Sequence, residues 1–358
     1  MTSAVVLALA GTTAYAVGAN ASEPHQRRGH HQKPPATSAS SSPTAAASSS
    51  PAASASSSPA ASASASASSS PASSQAGWVD VDQAKWQQEL DQWEAYKPAP
   101  VAAGTTRVPE FHTNCTIANK AKDDAIVFPN MPGASHEHWF FGPKNDASMT
   151  TDKLLASTST TCDAPGDNAA YWVPGLQKDG QEVPFKSMRI YYGSRVKDPS
   201  TVRPFPPGLV MVQGDAKLQV ATPKGAGNQF WCAGSAEIGR SADGNWPKCA
   251  DGGNLIFQLV FKDCWDGKHI DSPDHKSHMG DPVNGVCQGD YPVAVPDLSF
   301  MVNYDSLGGD GLALTSGMAS SMHGDFMNGW NSEKLIALVK TCLNQNAKCG
   351  TTPTFAGG

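Results

Sequence analysis

The chain has 358 residues, a formal net charge of -6 and only 16% charged residues. Length alone suggests two or three domains. The sparse, net-acidic charge without a clustered basic face excludes a nucleic-acid footprint. Gly 33 and Pro 27 suit strands and loops better than a helical protein, and nine Trp, seven Tyr and twelve Phe supply enough bulk for a sizeable core.

Residues 1–21 read as an export signal. An apolar run at 5–10 is followed by small residues, and Ala19-Asn20-Ala21 gives the A-x-A pattern of a cleavage site. No Lys or Arg precedes the run, which leaves room for a start codon upstream of Met1. The alternative is a retained anchor, although the run is short of the roughly 20 apolar residues needed to span. Both readings place the bulk of the chain outside the cytosol, and no membrane span is expected in the mature chain. Residues 22–76 read as a spacer. Its first part is polar and carries His25, His30 and His31; from 36 to 75 it is almost wholly Ser, Ala and Pro without charge. Such a segment has nothing to bury and does not offset the entropy of ordering. Its composition suits an extended, O-glycosylated stalk that holds a domain away from a surface or threads it through a cell wall.

Residues 77–98 are expected to form a docking helix. Val79, Trp86, Leu90 and Trp93 share one face, Asp80 is the expected cap at the start and Pro98 stops the helix. An aromatic surface for a wall polymer is the alternative. Residues 105–350 form the predicted globular domain, with strands at 125–128, 137–141, 186–192, 209–213, 254–261 and 298–304. The run 185–193, FKSMRIYYG, alternates as a half-buried strand does. One later helix is expected at 332–344, with Leu335, Leu338, Val339 and Cys342 on its buried face. Many short strands and few helices predict a mainly β fold, a β-sandwich or jelly-roll-like domain with long loops. All eight cysteines follow the spacer, and an even number in an exported chain argues for disulfides. Of the 105 possible connectivities, pairing of sequential neighbours is expected, because each bridge then closes a short local loop. Thiolate metal ligation lacks a C-x-x-C spacing.

Three clusters carry candidate chemistry. In Ser135-His136-Glu137-His138-Trp139, residues two apart on a strand face the same side, so His136 and His138 can present both rings to one metal. In Asp271-Ser272-Pro273-Asp274-His275-Lys276-Ser277-His278-Met279, a turn can bring His275 and His278 to one ion, with Asp271 and Asp274 orienting the rings. In Met322-His323-Gly324-Asp325, His323 and Asp325 are either further ligands or an acid–base pair. Each cluster alone is equally readable as structural hydrogen bonding. No G-x-S-x-G elbow occurs, and the Gly-rich stretch at 308–311 follows no phosphate-loop pattern.

The same clusters carry a family resemblance. The H-x-H stretch ending in Phe141-Gly142, Thr161-Cys162 with Tyr171-Trp172-Val173-Pro174, Pro204-Phe205-Pro206-Pro207-Gly208-Leu209, Cys264-Trp265-Asp266-Gly267, the stretch from Asp271-Ser272 to His278-Met279, and His323-Gly324-Asp325-Phe326 through Gly329-Trp330 recur in order. Over residues 112 to 342 the chain resembles the secreted family catalogued as domain of unknown function nineteen-ninety-six, known from fungi and actinobacteria. Pro143 departs from the small or amide residue expected after Gly142. The resemblance implies an extracellular β-rich domain in a polysaccharide setting and declares no activity.

Three functions are compatible with these residues. The first is a metal-dependent enzyme, hydrolytic or oxidative, on a polysaccharide or cell-wall polymer. His136, His138, His275 and His278 would hold copper or zinc, with His323 and Asp325 catalytic. Imidazole donors suit these ions, and Met279 tilts the choice towards copper. The second is a carbohydrate-binding module with Trp139, Trp172, Trp265 and Trp330 as its sugar-stacking face. The third is a surface protein whose histidines hold loops together. Nothing in the sequence sets the oligomeric state.

Overall fold

The computed structural model describes residues 77–220, 229–233 and 246–357; the signal-like segment 1–21 and the spacer 22–76 lie outside the described residues. Ten strands build two five-stranded antiparallel sheets. In chain order they are β1 (Phe111–Cys115), β2 (Ile117–Ala121), β3 (His138–Phe141), β4 (Ala170–Pro174), β5 (Phe185–Gly193), β6 (Val210–Gly214), β7 (Gln229–Cys232), β8 (Leu255–Val260), β9 (Asp297–Tyr304) and β10 (His323–Met327). The first sheet runs β7-β8-β9-β5-β1 and the second β2-β3-β4-β10-β6.

The alternation seen in 185–193 orders the first sheet. Met188, Ile190 and Tyr192 of β5 are buried, while Lys186, Ser187 and Arg189 are exposed, and β5 pairs with β9 on one side and β1 on the other. The inward faces of the two sheets meet through aromatic pairs: Phe141 with Phe185 at 5.3 Å, Tyr171 with Phe300 at 5.7 Å and Trp139 with Tyr304 at 6.1 Å between ring centroids. Pairs at these separations add to the burial of their own area. The mainly β sandwich expected from the sequence is the fold observed.

The second sheet is buried on both faces. Its inner residues Trp139, Phe141, Tyr171 and Phe326 belong to the main core. On its outer face Phe140, Ala170, Trp172, Val210 and Met327 form a second apolar cluster with Ala125 and Ile126 from a covering turn and Leu154 from a short helix. The predicted strand at 125–128 is therefore a turn. The Asp124 carboxylate accepts the backbone N–H groups of Ile126 and Val127, both at 2.9 Å, and this local bonding competes with a strand ladder. Ala125 and Ile126 are apolar because the turn docks on the sheet.

Helix α1 spans Gln83–Ala95 and is capped by Asp82, not Asp80; the Asp82 carboxylate accepts from Ala84 N and Lys85 N. Asp80 instead ends a two-residue strand, Val79–Asp80, paired with His269–Asp271. Trp86 of α1 packs edge-on against Trp265, centroids 5.4 Å apart. A short helix α2 covers Thr151–Leu155, and α3, Ser332–Leu338, runs on into a wide turn at Val339–Leu343. The four disulfides join sequential neighbours: Cys115–Cys162, Cys232–Cys249, Cys264–Cys287 and Cys342–Cys349. Among the described residues no helix is long and apolar enough to cross a membrane.

Candidate metal centre

The first and third histidine clusters meet on the outer face of the second sheet. His136 lies in the lead-in to β3 and His138 opens that strand. His323 opens β10 opposite Gly214, and Asp325 is paired with Trp172 on one side and Val212 on the other. Strand alternation sends His323 and Asp325 outward together and Gly324 inward. Glycine is required at that point: a Cβ on Gly324 would meet Leu259 and, at 2.9 and 3.0 Å, the Phe300 ring of the first sheet.

The three imidazoles converge through their Nε2 atoms. His138 Nε2 lies 3.1 Å from His323 Nε2, and His136 Nε2 lies 3.2 Å from the same atom. The edge of a tetrahedron with metal–nitrogen bonds of about 2.0–2.1 Å is about 3.3 Å long, so these separations match ligands around a single ion. The tautomers follow from the opposite ring nitrogens. His138 Nδ1 donates to the Asp123 carbonyl at 2.9 Å and His323 Nδ1 to the Ser321 carbonyl at 2.8 Å. A neutral ring that donates from Nδ1 carries a lone pair on Nε2, so two lone-pair-bearing nitrogens face one another 3.1 Å apart with no proton between them. Protonation does not relieve the contact, because burial pulls His323 down to about 3 and His136 to about 4, and holds His138 well below its ordinary value, with His323 and His136 adding to the effect.

Two carboxylates border the trio. Asp325 Oδ2 is 4.0 Å from His323 Nε2. Asp325 is fully buried, and neither of its oxygens has a hydrogen-bond partner among the described residues. Burial, and then the charge of Asp124, push its carboxyl well above the usual range. One ligand atom each from Asp124, His138 and Asp325 forms a second group whose members lie within 4.8 Å of one another. Asp124 was not singled out from the sequence; the signal available was an Asp-Asp pair a dozen residues before H-x-H, followed by the apolar dipeptide that docks the turn.

The second histidine cluster does not join the trio. His278 donates from Nε2 to the Val210 carbonyl at 2.7 Å, and its Nδ1 lies 2.9 Å from Ser272 Oγ. Both nitrogens are thus committed to bracing a turn. His275 Nδ1 faces Asp271 at 2.9 and 3.1 Å, and the His275 carbonyl accepts from Val212 N. Among the described residues, neither histidine belongs to a converging ligand group. Met279, the soft ligand expected beside His278, is buried and paired with Trp265 across a short ladder. The four tryptophans expected to stack on sugars are also interior. Trp139, Trp172 and Trp265 are fully buried and Trp330 nearly so; Trp330 donates to the Tyr192 hydroxyl and Trp265 to the His269 carbonyl. A sugar-stacking face needs exposed rings, so these residues do not form one. A cavity of about 810 Å³ lies between α1, α3 and residues 351–353. It is lined by no histidine and by one carboxylate, Glu333, so ligand convergence and not cavity size marks the site. Cys115, Cys162 and Asp167 also approach one another, but both sulfurs are in a disulfide.

No curated protein and no solved structure matches the chain. A family match covers residues 124–330, more than half of the 358 residues, and it includes both the H-x-H and the H-G-D segments. The chain accordingly belongs to the family described as Domain of unknown function (DUF1996).

Proposed function

We propose that the protein is an exported enzyme that binds a divalent transition-metal ion, zinc or copper, through the Nε2 atoms of His136, His138 and His323. The observation that carries this reading is the 3.1 Å contact between two Nε2 atoms whose Nδ1 atoms both donate to carbonyls. Two buried lone pairs at that distance repel, and a cation between them turns the repulsion into two bonds. The backbone carbonyls that hold Nδ1 fix each ring's tautomer and angle, the usual outer support of a metal-binding imidazole. Three imidazoles leave at least one coordination position open, and an ion there supplies Lewis acidity to water or substrate. Hydrolysis suits the surroundings better than oxidation, because buried carboxylates stand beside the imidazoles where a proton must be taken up. Four disulfides fit an oxidising compartment. For a polysaccharide or cell-wall substrate the support is the Ser/Ala/Pro-rich stretch at 36–75 alone, since the tryptophans expected to bind sugar are buried.

The test is titration of metal-stripped protein with Zn²⁺ and Cu²⁺ by calorimetry, beside His138→Ala and His323→Ala. Binding at micromolar or tighter affinity in the parent protein, lost in both variants, is the expected result. Absence of binding by either ion removes the reading. A panel of polysaccharides assayed with and without the ion then decides the enzymatic part; full metal loading without turnover of any of them would leave a metal-binding protein.

A further inference from the structure

The same face of the sheet carries a second constellation that three imidazoles do not explain. Asp325 sits in the middle of β10, fully buried, with two acceptor oxygens and, among the described residues, no donor on either. Asp124, on the covering turn, is 3% exposed and places a carboxylate oxygen within 4.8 Å of ligand atoms of Asp325 and His138. Asp124 directs Oδ1 to the backbone N–H groups of its own turn, which fixes its orientation. Lys276 exerts a favourable field on Asp325, but its ammonium is hydrogen-bonded to the Gly214 carbonyl. Two carboxylates thus share an interior space with no Lys or Arg hydrogen-bonded to them. An interior carboxyl pair without a cationic partner either holds its protons or coordinates a metal, and only the second gives the bare Asp325 oxygens a partner.

We propose that Asp124 and Asp325 hold a second divalent cation beside the imidazole-bound ion, which takes the single Nε2 lone pair of His138. The inference rests on the metal-centre reading above and extends it from one ion to two. Carboxylate oxygens suit harder ions than imidazoles do, so the second position takes an ion such as Mn²⁺ or Mg²⁺, or a second Zn²⁺. Two ions about 3.5–4 Å apart clamp the attacking and leaving oxygens of a hydrolytic displacement, and the pair would place the reaction among two-metal hydrolyses. Position along the chain agrees with this division: the covering turn supplies the hard ligand, and the sheet supplies the imidazoles and the central carboxylate.

Metal-stripped full-length protein is loaded with one equivalent of Zn²⁺ and then titrated with Mn²⁺, with bound Mn²⁺ read from its paramagnetic resonance signal and total metal from elemental analysis after gel filtration. The comparison is with Asp124→Asn, which keeps Oδ1 as the turn acceptor, and with His136→Ala. Expected are one Zn²⁺ and one Mn²⁺ per chain. In Asp124→Asn the Mn²⁺ affinity falls at least tenfold and the Zn²⁺ affinity changes less than threefold; in His136→Ala the Zn²⁺ affinity falls. One Zn²⁺ and no specific Mn²⁺ in the parent protein overturns the second site and leaves the imidazole site standing. Mn²⁺ binding unchanged in Asp124→Asn overturns the assignment of its ligands. No Zn²⁺ and no Mn²⁺ overturns both proposals. Circular dichroism of Asp124→Asn matching the parent shows that the loss is not one of fold.

Discussion

At the scale of single residues, the two histidine clusters separate by what their second ring nitrogen does. His138 and His323 use Nδ1 on carbonyls and turn Nε2 towards each other; His278 uses both nitrogens within protein hydrogen bonds. The consequence is measurable. A ligand at 100 times its Kd stabilises the folded state by about 2.7 kcal/mol, so saturating Zn²⁺ is expected to raise the unfolding free energy of the parent protein by that order and that of His323→Ala by nothing. His278→Ala is expected to show the opposite pattern. It keeps the stabilisation by Zn²⁺ and loses about 1–3 kcal/mol without metal, because Ser272 and Val210 are left with an unmet polar group. Urea unfolding with and without Zn²⁺ reads both, and a His278→Ala variant that no longer responds to Zn²⁺ would place that ring in the metal centre after all. The H-x-H pair was legible in the sequence, but strand alternation accounts only for His138, which opens β3; His136 lies in the extended lead-in before it and its ring still reaches His323. The turn D-H-K-S-H carries the same residue types, and only tertiary partners decide that its rings are committed elsewhere. The tryptophans misled for a related reason: aromatic flanks mark a strand core as well as a binding face.

At the scale of elements, β10 is the piece that joins core to site. Its H-G-D sequence puts an imidazole and a carboxylate on one face and presses bare backbone against Leu259 and Phe300 on the other. Gly324→Ala is expected to cost about 1–3 kcal/mol by overpacking and to weaken metal binding, although the added methyl group points away from the site. Normal Zn²⁺ affinity in a destabilised Gly324→Ala would show that the site does not depend on how closely the sheets approach. Helix α1 makes a second case. Its Trp86 and Glu89 are buried, and burial pushes the Glu89 carboxyl up to about 7, with a hydrogen bond from Ser332 working against the shift. A carboxyl raised above its unfolded value of 4.5 contributes stability that is present below that value and is lost as pH rises through about 7. Docking of α1 is therefore expected to loosen between about pH 4.5 and 7, with faster proteolysis at 77–98, and Glu89→Gln should abolish that pH dependence. The helix was legible from its apolar face. Its cap was misplaced by two residues, because Asp80 and Asp82 both precede the pattern and only the pairing of Val79–Asp80 with His269–Asp271 separates them.

At the scale of the whole molecule, the four disulfides and the buried ionisable groups set how the protein meets acid. The bridges were legible because sequential cysteines close short loops; the interior carboxylates were not, since nothing in composition says which Asp is covered. Burial raises Glu89, Asp124, Asp167, Asp263, Asp297 and Asp325, with values of about 7 for Glu89, Asp167 and Asp297 and about 6 for Asp263. Burial lowers His112, His136, His138, His278 and His323. The two sets act with opposite sign. Raised carboxyls contribute stability that is present below about 4 and is lost as pH rises towards 7; lowered imidazoles contribute stability that is present above 6.5 and is lost as pH falls through their folded values. Each group moves stability by at most about 1.4 kcal/mol per pH unit, and at mildly acidic pH the carboxyls and the imidazoles pull in opposite directions. Above 6.5 the imidazoles are neutral in both states, while Glu89, Asp167 and Asp297, at about 7, still lose their protons. The metal-free protein is thus expected to weaken by a few kcal/mol between pH 6.5 and 8. Urea unfolding at pH 5, 6, 7 and 8 tests this, and stability that rises steadily to pH 8 would show that the interior carboxylates are ionised and paired. Added divalent metal should offset part of this decline without moving it, because the ion binds more tightly as Asp124 and Asp325 give up their protons while Glu89, Asp167 and Asp297 titrate as before.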